Sequence, residues 1–157
     1  MSFLVAVGIS VGLLAGLWAG VSTQYASLGL ITFVGFLSWA SFYADGGKVK
    51  GLKDSLILNF SGVIWAWIIV YLFTALTPAL GVIVALSLAV AIGAAGMCWQ
   101  AHVSFLGFIP GAFIGCSAYF ATGFDFKGTV ISLIAGAILG YLSEQGALTL
   151  QKVTKKK

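Results

Sequence analysis

Few side chains in this sequence could do chemistry, and their placement argues against catalysis. There is one histidine, His102, and there are two cysteines, Cys98 and Cys116, both inside apolar stretches. No spacing joins them into a metal site or a disulfide framework, so neither a metal nor a cofactor is expected. The carboxylates are Asp45, Asp54, Asp125 and Glu144, each near the end of an apolar stretch. An enzyme needs a nucleophile with its base, paired carboxylates or metal ligands. None of these is supplied, and the chain is not expected to be an enzyme. Coupled pumps keep an ionisable group in the path, and no acid falls at an expected helix centre.

The other polar groups suit the passage of small molecules. Asn59 and Ser61 lie within one apolar stretch, Gln24 and Gln100 close two others, and Ser38, Ser41 and Ser117 punctuate aromatic ones. Amides and hydroxyls beside an apolar neck are what a path for a small polar solute needs. Interhelical hydrogen bonding, at about 0.6 kcal/mol on average, is the equal alternative.

The elements that must position these groups are membrane helices. The 157 residues are 61% hydrophobic and 8% charged, where a soluble domain carries about a quarter charged residues. That balance excludes a soluble globular domain, a disordered tail and a nucleic-acid binder. A membrane helix needs roughly 20 apolar residues, and six segments qualify: 3–23, 28–43, 55–76, 79–99, 103–121 and 129–147. They are too continuously apolar for barrel strands, which alternate. The expected fold is an all-α integral membrane protein of six transmembrane helices. Residues 1–150 form one transmembrane domain and 151–157 a basic cytoplasmic tail. The start, which lacks the basic region of a secretory signal, is read as a retained first helix. Pro78 is expected to open the fourth helix, where its missing N–H is harmless.

Charge sets the orientation. Lys48, Lys50, Lys53, Lys152, Lys155, Lys156 and Lys157 fall on one side of a six-span arrangement, and Lys127 alone on the other. The positive-inside rule then places both termini in the cytoplasm.

The two halves resemble each other. Ala44-Asp45-Gly46, Lys50-Gly51 and Ser55-Leu56-Ile57 recur 77 residues later as Ala121-Thr122-Gly123, Lys127-Gly128 and Ser132-Leu133-Ile134. Ala19–Gln24 is matched by Ala95–Gln100 at an offset of 76. Repeats of about 3–76 and 79–147, each with three spans, would enter the membrane in opposite senses. Such inverted repeats are a recurring plan of transporters.

Small residues recur at every fourth position: Gly8, Gly12, Gly16 and Gly20, then Gly107, Gly111 and Gly115, then Ser132, Gly136 and Gly140. This spacing lets helices approach closely, either within one protomer or at an oligomer seam, for which Gly8–Gly20 is the better candidate. Pro110, inside the fifth segment, is expected to kink it. Phe36 and Phe113, 77 residues apart, could form an apolar constriction, against the simpler reading of aromatic packing. His102, at an expected cytoplasmic break, is an interfacial histidine or a pH gate.

Through Ala19–Gln24, the approach to the Phe42–Gly46 loop and the 108–119 stretch, the sequence resembles the YcdZ-like bacterial inner-membrane proteins of unknown function. The resemblance implies a small polytopic protein of the bacterial inner (plasma) membrane and brings no substrate or catalytic residues with it. The expected function is a channel or facilitator for a small neutral or weakly acidic solute. The expected partners are the lipid bilayer, a small-molecule permeant and further copies of the chain, with no nucleic acid. The rivals are a non-transporting scaffold or accessory subunit and a coupled secondary transporter.

Overall fold

A computed structural model describes residues 1–155, which form five α-helices and no strand. They are α1 (Phe3–Gln24), α2 (Thr32–Ala44), α3 (Lys48–Trp99), α4 (Ile109–Ala121) and α5 (Phe126–Lys155), with short 3-10 turns at Ala26–Leu28, Gln100–His102 and Ser104–Leu106. Of the expected basic tail, 151–155 continue α5, and Lys156 and Lys157 lie outside the described residues. The helices begin where local chemistry allows. The Ser2 hydroxyl accepts the Val5 N–H at 3.3 Å to open α1, and Asp125 accepts the Gly128 N–H at 2.9 Å to open α5, both ordinary N-cap roles.

Three of these helices, α1, α3 and α5, are long and apolar enough to cross a membrane. The six expected segments map onto five helices because the third and fourth are joined. Pro78 does not separate them; it lies within α3. The break comes at Gly81, with φ 74 and ψ 162, a backbone combination nearly confined to glycine. Beyond it the helix returns along itself, with Gly93 against Ile69 and Gly96 against Trp65. α3 is therefore a helical hairpin.

The second and fifth expected spans are only partly helical. α2 and α4 have 13 residues each, about 20 Å at 1.5 Å per residue, short of a core of about 30 Å. Irregular chain and 3-10 turns precede both. Pro110 does not kink α4; it stands in its first turn, where a missing N–H removes no helical bond.

α2 and α4 begin 77 residues apart, and the same turn follows each. Gly46 and Gly47 donate to the carbonyls of Tyr43 and Phe42, both at 3.0 Å, as Gly123 and Phe124 donate to those of Phe120 and Tyr119, both at 3.1 Å.

Small residues bring the helices together. A Cβ at Gly62 would overlap the Ala112 carbonyl, one at Gly115 the Asn59 carbonyl, and one at Gly136 the Gly35 carbonyl. A Cβ at Gly140 would stand 2.8 Å from the Phe42 ring, tight but less so. Close backbone approach of this kind supplies the packing that hydrophobicity cannot drive inside a bilayer. The Gly8, Gly12, Gly16 and Gly20 ladder is different. Nothing lies within 4 Å of a Cβ at any of them.

Candidate functional site

A buried polar cluster forms where α2, α3 and α5 meet. Ser38 and Ser41, three residues apart on α2, turn the same face toward Asn59 of α3. Asn59 donates from Nδ2 to Ser38 Oγ at 2.9 Å and accepts at Oδ1 from Ser41 Oγ at 3.1 Å. Ser38 in turn donates to the Leu133 carbonyl of α5 at 2.6 Å. All three side chains are buried. Of the residues expected along a solute path, Ser38 and Asn59 are thus brought together. Their bonds in this conformation go to protein, which ties three helices together.

Beside the cluster lies a groove of about 460 Å³ whose lining includes Leu56, Ile57, Asn59, Phe60, Leu133 and Ile134. The two copies of the repeated Leu-Ile pair therefore line one groove, with Asn59 among them.

The other expected path residues are dispersed. Gln24 and Ser117 are exposed. Gln100 packs on the first limb of α3, where its Oε1 accepts from Ser61 Oγ at 2.6 Å and Trp65 Nε1 at 2.8 Å, while its buried Nε2 has no partner. Phe36 is 38% and Phe113 39% exposed, so one chain does not enclose a neck between them. Phe36 instead stacks on Trp39. His102 is exposed in a 3-10 turn.

Several residues form contacts that the sequence reading did not assign to them. Glu144, only 8% exposed on α5, accepts the backbone N–H of Lys48 at 2.7 Å. Next to it, Ser143 accepts from Trp39 Nε1 at 3.1 Å and bonds Tyr43 Oη at 2.8 Å. Ser132 accepts the Ile31 N–H at 2.8 Å. α5 therefore supplies side-chain partners for the N-termini of α2 and α3 through Ser132 and Glu144, and for Trp39 and Tyr43 later in α2 through Ser143. No spacing signal links these residues, which lie about a hundred positions apart; only the repeated Ser55 and Ser132 were visible beforehand. At the surface, Lys50 bridges Asp45 at 2.6 Å and Asp54 at 2.8 Å, contacts that add little when solvated. Among the described residues no group of three or more His, Cys, Asp or Glu side chains could hold a metal.

Residues 8–148 match the family described as "Protein of unknown function (DUF1097)". The chain belongs to the DUF1097 family. This DUF1097 member is 38% identical to the inner membrane protein YcdZ of Escherichia coli K12, over 96% of this chain and 89% of that protein. It is 36% identical to YcdZ of Salmonella typhimurium LT2, covering 96% and 91% respectively. It is also 36% identical to the uncharacterized protein YahC of Escherichia coli K12, over 100% and 98% of the two chains. The resemblance to YcdZ-like proteins holds along nearly the whole DUF1097 sequence. No solved structure matches.

Proposed function

We propose that this chain is a facilitator for a small neutral or weakly acidic solute in the bacterial inner membrane. It is read as six membrane passages in two inverted repeats, with both termini cytoplasmic. One observation carries this reading: two 13-residue helices, α2 and α4, start 77 residues apart and each follows irregular chain. Backbone that is not helical at membrane depth is tolerated only against protein or a water-lined cavity. Paired discontinuous helices in the two halves are also the best sequence-level pointer to a transport site. The path runs where the halves meet, at the Ser38–Ser41–Asn59 cluster and the groove beside it, and this conformation is its closed state.

Proteoliposome flux tests the proposal across a panel of small alcohols, amides and weak acids. Flux above empty liposomes that falls in Asn59→Leu supports it. No flux with any solute of the panel removes it. Flux that needs an imposed pH gradient and disappears in His102→Ala would instead identify a coupled transporter.

A second reading, a non-transporting scaffold or accessory subunit, is favoured by the bare Gly8–Gly20 face. It expects assembly through α1 that Gly12→Leu with Gly16→Leu abolishes, and no solute flux.

A further inference from the structure

Ser55 and Ser132 occupy the same position in the two Ser-Leu-Ile motifs, one on α3 and one on α5. On α5, Ser132, Gly136 and Gly140 meet Ile31, Gly35 and Phe42 in turn. On α3, Leu58, Gly62 and Trp67 meet Gly111, Cys116 and Tyr119 in turn. Each short helix therefore runs beside its long partner in the same direction. Ser55 lies three residues before Leu58, on the face that α4 covers, and Phe108 lies three residues before Gly111. Ser55 is thus level with the start of α4, as Ser132 is with the start of α2.

The two helix starts are finished differently. Ser132 Oγ accepts the N–H of Ile31, the residue that caps α2, at 2.8 Å and donates to the Gly29 carbonyl at 3.3 Å. That turn depends on Gly29, whose φ of 91 is left-handed, a region that glycine enters without cost. Seventy-seven residues on stands Leu106, in a 3-10 turn, followed by Gly107 in the right-handed region at φ -76. The chain before α4 therefore does not bring its cap, Phe108, onto Ser55. Ser55 is 0% exposed, and its hydroxyl has no partner. A fully buried side-chain oxygen left unpaired is a rarity that needs a reason. The Phe108 N–H makes no backbone hydrogen bond either. Gln100 Nε2, the other buried side-chain atom without a partner among the described residues, stands at the far end of the same irregular stretch, 100–108. All three groups can donate. What this stretch lacks is an acceptor.

We infer that the start of α4 binds a carboxylate, whose oxygens take the Ser55 O–H and the Phe108 N–H that the protein leaves free. A helix start gathers unpaired N–H groups at the positive end of the dipole, so an anionic oxygen is the acceptor it favours. The approach passes Gly107, which is exposed and whose missing Cβ would meet only the Ser104 carbonyl, at 3.3 Å. Asn59 is four residues along α3 from Ser55, about 6 Å of helix rise, so the site borders the cluster where the path is placed. The start of α2, already closed by Ser132, offers no such pair of donors. The inference rests on the transport reading and narrows its solute to a small carboxylic acid.

Hydrogen exchange of the full chain in nanodiscs tests it, with sodium acetate as the probe and sodium chloride and acetamide at the same concentration as controls. Acetate is expected to slow exchange over 103–109 several-fold and to leave 25–31, the matching stretch before α2, unchanged. Ser55→Ala removes a hydroxyl that the protein does not use, so the variant should fold as the parent does. Its apparent affinity for acetate should fall roughly tenfold, the weight of one hydrogen bond to a charged group. No slowing by acetate in the parent overturns the inference, as does an acetate effect that survives Ser55→Ala. Equal slowing by acetamide would mean that an oxygen is recognised without its charge, and equal slowing by chloride that any anion suffices; either result overturns the carboxylate assignment. Binding needs no passage across the membrane. Acetate protection without flux of any solute would keep the site and discard transport, whereas flux without acetate protection would do the reverse.

Discussion

The carboxylate of Glu144, on α5, accepts the backbone N–H of Lys48, the first residue of α3, at 2.7 Å. The two residues are 96 positions apart in sequence. The bond satisfies one of the donors that a helix start leaves free and sets a negative charge at the positive end of the α3 dipole. Glycine at position 47 makes room for it, since a Cβ there would stand 2.9 Å from Glu144 Oε1. Glu144→Ala should therefore lower stability by about 1–2 kcal/mol, read by thermal unfolding in detergent. Glu144→Gln keeps an acceptor oxygen without the charge and should fall between. An alanine variant as stable as the parent would show that the contact contributes nothing.

The Asn59 cluster should behave as a coupled unit. In a double-mutant cycle of Asn59→Ala and Ser38→Ala, the interaction term is expected near 0.6 kcal/mol, the average for a hydrogen bond inside a bilayer. Independent, additive losses would mean that the Asn59–Ser38 bond is geometrically present but energetically idle.

The two serines of the repeated motif should respond unequally. Ser132→Ala leaves the Ile31 N–H without its acceptor and should cost about 1–3 kcal/mol. Ser55→Ala removes a hydroxyl that has no partner and should leave unfolding unchanged or raise its midpoint. Equal losses at the two positions would contradict the asymmetry between the halves.

Glycines at the same spacing should also part company. Gly136→Leu drives a side chain into the Gly35 backbone, and little folded protein is expected by size-exclusion chromatography. At Gly12 and Gly16 an added Cβ meets nothing within 4 Å, so Gly12→Leu with Gly16→Leu extends from an open face. The double variant should keep the helical content and thermal midpoint of the single chain, and any assembly lost with it maps to α1.

Orientation is open to direct labelling. Cysteines placed at Lys48 and Lys127 in a background without native cysteines should react with an impermeant reagent from opposite faces of the membrane, Lys48→Cys from the cytoplasm. Labelling of both from one face would end the inverted-repeat reading.

How much of this was legible beforehand varies from residue to residue. The apolar runs and scarce charges determined a helical membrane protein, because lipid accepts only backbones that pair internally. The Ala-x-Gly and Ser-Leu-Ile matches at a constant offset located the paired turns after α2 and α4, because a turn's hydrogen bonds join residues only a few positions apart. Long-range placement was not legible. Pro78 was a plausible breakpoint, but the turn fell at Gly81, since a reversal needs the positive φ that glycine tolerates and a proline can remain inside a membrane helix. Gly12 and Gly136 carry the same small-residue signal, yet one meets no neighbour and the other a crossing helix. Phe36 and Phe113 share a motif position but face outward. Glu144 and Lys48, like Ser132 and Ile31, meet only once α5 is packed. Composition and local spacing decide which solvent a chain folds in and where it turns. Which face of each helix finds a partner, and in which register, is a property of the packed whole.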